Sequence, residues 1–175
     1  QMAGKTRVAK YQADRTNQKL YFCRLSCQSA GSTNDKQLYQ AHCETAIFHL
    51  HGALLAFIQE LGHFYSLNMT APTLLDIEQA LSERTQVSPE IQRLQQLQQQ
   101  GFIANIERAY QRCLYAVPPD TIVDEALSSH SASPDLIVNV VTLSNQWLPD
   151  ETTIREWRNQ LLELIEQLRA GMVEF

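Results

Sequence analysis

Four of the five histidines, His42, His49, His51 and His63, fall in one stretch that also holds Glu44 and Glu60. Imidazole and carboxylate together can bind a metal or exchange protons near neutral pH. Spacing limits what this set can do. On a helix His49 and His51 point about 200° apart, so they do not share an ion. Glu60-x-x-His63 matches the carboxylate–imidazole step of ferritin-like di-metal bundles, but such a site needs a second copy of that step and two more inward glutamates. No second Glu-x-x-His occurs. His42 and His49 share one helical stripe, and Glu44 and His51 another, so each pair can face a cleft where a carboxylate raises the pKa of its histidine. The polar candidates are therefore His42, His49, His51, Glu44, Glu60 and His63, with no catalytic residue, cofactor or metal assigned.

Other chemistries leave no trace. The chain has no Gly-x-Ser-x-Gly, no Ser-x-x-Lys and no glycine-rich phosphate loop. The cysteines, Cys23, Cys27, Cys43 and Cys113, form no Cys-x-x-Cys. Cys23 and Cys27 lie one helical turn apart, a spacing open to a metal or redox pair, yet they read as small hydrophobes in a reducing cytosol. Arg108 and Arg112, beside Tyr110 and Tyr115, make a small basic face that reads as solvated.

Charge is divided unevenly. The net charge is −5, but the first 24 residues carry a net +5 from Lys5, Arg7, Lys10, Arg15, Lys19 and Arg24 against Asp14. Residues 1–14 read as a flexible basic arm that could hold nucleic acid, although the acidic remainder would repel a phosphate backbone. No apolar run reaches the roughly 18 residues of a membrane span, and no hydrophobic leader opens the chain. These features predict a cytoplasmic protein with no membrane partner.

The elements follow from periodicity, and they predict one all-α domain over 1–175. It is an up-and-down bundle of about four main helices, with two short helices and an extended loop segment. Thr16 or Asn17 can cap a first helix that runs to about Ala30. Asp35 or Lys36 opens a second, closed by Gly62 or by the Asn68–Pro72 stretch. Along it Leu38, Ala41, Thr45, Phe48, Gly52, Leu55 and Gln59 trace one stripe. From Ala46 it is apolar in nearly every direction, which predicts a helix surrounded by others. Short helices are expected over Thr73–Glu83 and from Ser88-Pro89 to Gly101, and a main helix over Phe102–Ala116, with Ile103, Ile106, Tyr110 and Cys113 or Leu114 inward. Between 119 and 149, Val123–Ala126 reads as a helical turn, Ser128–Pro134 as loop and Leu136–Val141 as an extended segment lying over the bundle. Asp150 or Thr153 starts the last helix, Thr153 with Glu156 having capping-box spacing. Glu151 and Arg155 are set to pair along it.

The run from Arg15 to Phe22, the run from Ala46 to Leu54 and the terminal helix with Trp157 and Leu161 resemble an uncharacterised family of small helical bacterial proteins. That resemblance implies no activity and carries over no catalytic residue. More loosely, the first two helices are similar to the HEPN-type bundle, whose active members carry Arg-x-x-x-x-His. No Arg here has a His five positions on, so the resemblance implies at most a binding role. The sequence as a whole favours a non-catalytic interaction or accessory protein with an unknown protein partner or itself, as a homodimer. A nucleic-acid or nucleotide binder and a metal- or ligand-binding bundle are the alternatives.

Overall fold

The structure, a computed structural model, describes residues 2–115 and 148–173. Among them are six helices and no strand: α1 (Met2–Gly31), α2 (Lys36–Phe64), α3 (Leu74–Glu83), α4 (Pro89–Gln99), α5 (Phe102–Leu114) and α6 (Glu151–Val173). The fold is the expected all-α bundle, with α1, α2, α5 and α6 as its main helices. Thr16 meets Glu60, Phe22 meets His49, and Cys27 lies beside Cys43, so α1 and α2 run antiparallel. Tyr110 packs on His51 and Phe48 while Cys113 sits near Glu44, which makes α5 antiparallel to α2 as well. α6 runs with α2, from Glu151 at Tyr39 to Arg169 at Glu60. None of the described helices is long and apolar enough to cross a membrane.

α1 begins at Met2, not at Thr16 or Asn17. Thr16 is a good capping residue, but its hydroxyl donates to the Gln12 carbonyl at 3.1 Å and to Glu60 at 3.0 Å, both from within the helix. With no proline before Pro72, each further residue adds a backbone bond and the helix propagates through the basic segment. At its other end Gly31 admits the start of α6: a Cβ there would come within 2.7 Å of the Glu151 carboxylate.

Asp35 caps α2, its Oδ1 accepting the Leu38 amide at 2.9 Å. Gly62 does not stop this helix, which continues to Phe64. It sits buried where the returning chain crosses, with Pro72 and Ile77 close to where its Cβ would be. The stop is a Schellman motif, in which Leu67 N–H reaches Gly62 O and Ser66 N–H reaches His63 O, with Ser66 left-handed at φ 57°. Thr73 and Asp76 form a reciprocal capping box on α3, and Ser88 with Pro89 opens α4. Asp150 caps α6 by accepting the Thr153 amide at 2.9 Å, which places Thr153 inside the first turn and leaves its expected capping box with Glu156 unformed. The Tyr39 hydroxyl accepts a second free amide of that turn, from Glu151 at 2.9 Å. Arg155 pairs with Glu151 at 3.0 Å as expected.

The core is the inner face of α2 (Cys43, Ala46, Ile47, Leu50, Ala53, Leu54, Phe57, Ile58 and Leu61) packed on Leu20, Cys23 and Cys27, on Ile103 and Ile106, and on Ile154, Leu161 and Ile165. α2 is not enclosed all round. Its neighbours cover one side, and Leu38, Phe48 and Leu55 on the other are 48%, 39% and 52% exposed. On α5, Ala109 is buried in place of Leu114, which is exposed. The helical turn, loop and extended segment expected at Val123–Ala126, Ser128–Pro134 and Leu136–Val141 lie outside the described residues.

Candidate functional site

The six polar candidates are dispersed over α2. His49 lies edge-on to Phe22 with ring centroids 5.3 Å apart, and burial, helped by the charge of Lys19, lowers its pKa. His51 stacks flat on Tyr110, centroids 3.8 Å apart and planes 7° from parallel; burial lowers its pKa too. Burial raises the pKa of Glu44, on the same side of the helix as His51. His42 is half-buried one heptad before His49, and His63 is half-buried near the helix end.

Glu60 has a different setting. It is 8% exposed, and Arg169 grips it through two parallel bonds of 2.7 and 2.9 Å while Thr16 donates to the same carboxylate. Arg169 reaches on to Asn17 Oδ1 and the Ala13 carbonyl. This cluster ties α1, α2 and α6 together, and the Glu60 lone pairs serve protein donors rather than an ion with His63. Among the described residues, no three His, Cys, Asp or Glu side chains are grouped so as to hold a metal. Sequence reasoning missed Arg169 because nothing local marks a partner 109 residues away.

The cysteines form a chain across three helices. Cys23 and Cys27 are fully buried and hydrogen-bonded to each other, a contact that with burial drives the Cys23 pKa far upward. Cys43 is bonded to the Tyr39 hydroxyl and pushed up to about 11 by burial; Cys113 is pushed up to about 12 by burial and then by the charge of Glu44. All four are unpaired. Cys23, Cys43 and Cys113 are therefore held as thiols, packed as small hydrophobes rather than poised as nucleophiles. Arg108 donates to Asn105 at 3.0 Å and lines an open depression of about 700 Å³ with His51, Gln98 and Glu107. Tyr115 stands exposed beyond it.

The feature with functional promise is the outer face of α2. Leu38, Ala41, Thr45, Phe48, Gly52 and Leu55 follow each other at alternating three- and four-residue steps, over roughly 26 Å of helix. All but Gly52, which is half-buried, are exposed. Between Gln37 and Gln59 the only permanently charged side chain is Glu44, whereas a solvated helix face ordinarily carries charge every turn. Aromatic groups border the stripe: Phe22 against His49 on one side, and Tyr110 in T-shaped contact with Phe48, 5.8 Å between centroids, on the other. The stem of Lys19 lies across Gly52. The sequence showed the stripe; that it faces outward depends on which sides of α2 the other helices take.

No curated protein and no solved structure matches the chain. Residues 11–175 match the model of a family of unknown function (DUF6586), and the chain belongs to that family.

Proposed function

We propose that this protein is a non-catalytic interaction module of the cytoplasm, working by presenting the outer face of α2 to a partner. The carrying observation is the exposed, charge-poor stripe from Leu38 to Leu55, since a continuous exposed apolar face on a small domain marks a contact surface. Its aromatic borders supply the residue types that anchor interfaces. The buried, fully bonded setting of Glu60 and the dispersal of the histidines support a scaffold rather than a reaction centre. Four unpaired cysteines fit a reducing compartment.

A photo-crosslinking residue at Phe48 or Leu55, expressed in the native cell, tests this reading. Position-specific adducts are expected there, absent from the same probe at exposed Gln92 on α4 and abolished by a second change, Leu38→Glu. Equal labelling at all three positions, or none at the stripe, would refute an interaction role for this face.

A further inference from the structure

We infer that the seam between α1 and α6 carries a binding site for a phosphate monoester, built by Arg24, Arg155 and Arg158. This seam is separate from the outer face of α2, and α6 runs antiparallel to α1 along it. Glu151 lies against Gly31, Arg158 reaches Leu20 and Arg169 reaches Ala13. Arg158 crosses from α6, its Nε donating to the Leu20 carbonyl at 2.7 Å. Arg24 lies one turn after Leu20 on the same side of α1, and Arg155 three residues before Arg158 on α6. Burial lowers the pKa of Arg158, and the charges of Arg24 and Arg155 lower it further. Three guanidiniums thus stand close enough to repel one another, with Glu151 as the carboxylate beside them. Cys23 and Cys27 lie within reach of the Arg155 and Arg158 charges, but both are fully buried and bonded to each other.

The second support is how each arginine is fixed. Arg155 is held through Nε by Glu151 at 3.0 Å, and Arg158 through Nε by Leu20. Arg24 rests by its face on the Tyr21 ring, 5.1 Å from the centroid. Among the described residues, the terminal nitrogens of the three make a single contact, a long 3.5 Å from Arg158 to Asn159. The side chains are therefore oriented by parts that leave donors for phosphate oxygens unspent, and little ordering is left to binding. Charge selects the ligand. Three arginines against one glutamate leave a net +2, which matches the roughly −1.5 to −2 of a phosphate monoester at neutral pH. A polyanion laid along the seam would meet Asp14, a heptad before Tyr21, and Glu166, eight residues beyond Arg158, both exposed. One compact dianion meets neither.

The test is titration of the full chain with inorganic phosphate at fixed ionic strength and about pH 7.5, above the second phosphate pKa. Binding is read by NMR at the arginine Nε–H signals. Saturable shifts at Arg24, Arg155 and Arg158 are expected, with a Kd on the order of 1 mM. Arg169, whose fork is spent on Glu60, should not move. Arg24→Gln changes an exposed position and leaves the Leu20 and Glu151 bonds in place. It should weaken binding about tenfold with unchanged circular dichroism, and Arg24→Lys should recover only part of that loss. A drift that never saturates, or equal shifts with chloride, would mean an adventitious ion only and overturns the site. Unchanged affinity in Arg24→Gln overturns it as well. A 5′-hydroxyl oligothymidylate that binds these arginines more tightly than inorganic phosphate overturns the monoester assignment in favour of nucleic acid. Two further probes identify the source once phosphate binds. Phosphatidate vesicles that sediment the wild-type chain but not Arg24→Gln assign the group to a lipid. Saturable binding of phenyl phosphate without sedimentation assigns it to a soluble ester.

Discussion

At position 60 a carboxylate sits 8% exposed, with the donors of Arg169 and Thr16 on its two oxygens. Removing one member of such a pair leaves the other buried and uncompensated. That costs about 3–5 kcal/mol for a fully buried pair, and less here because the Arg169 side chain is 23% exposed. Arg169→Ala is therefore expected to lower unfolding free energy by about 2–3 kcal/mol in urea titrations. The double change Glu60→Leu with Arg169→Leu should be closer to wild type than either single change, and a double variant worse than both would show that the pair is not acting through desolvation. The histidines add a pH dependence. His49 and His51 both have pKa values lowered from 6.5 by burial, so the unfolded chain binds more protons than the folded one in the window just below 6.5. Stability is fully present above that window and declines as pH falls through the lowered values. Urea midpoints should drop between pH 7.5 and 5.5, and drop less in a His49→Gln, His51→Gln variant; an equal drop would place the titration elsewhere.

Among the elements, the end of α3 holds an unusual residue. Gln86 N–H bonds to Leu81 O and Thr85 N–H to Ser82 O, a Schellman close like that of α2, with Thr85 at φ 53°. A β-branched side chain in that region is strained by roughly 1–2 kcal/mol, where glycine is not. Thr85→Gly is expected to stabilise the fold by about 1 kcal/mol, read as a raised melting temperature. A lowered one would mean that the Thr85 side chain contributes more than its backbone costs.

Helix positions were legible wherever the governing interaction is local. Asp35, Thr73 and Ser88-Pro89 mark starts because a cap bonds two or three residues ahead. Thr16 looked the same in sequence, but its hydroxyl answers to Glu60, 44 residues on. Of the site, the stripe on α2 was readable and the Glu60–His63 spacing was visible. What decided their roles, the exposure of one and the Arg169 bond of the other, comes from how distant helices pack.

For the molecule as a whole, α1 and α2 are joined by only four residues, 32–35, whereas the Glu60–Arg169 contact closes 109 residues. Loop closure alone separates the two by about 3 kcal/mol. The α1–α2 hairpin can form as soon as both helices have left the ribosome. At roughly 5–20 residues per second, synthesis from the end of α2 to the start of α6 then takes on the order of five to fifteen seconds. Through that interval α2 shows apolar surface on both sides, its core face waiting for α5 and α6 as well as its outer stripe. The nascent hairpin is thus the stage at which this chain exposes most of the apolar surface it later buries.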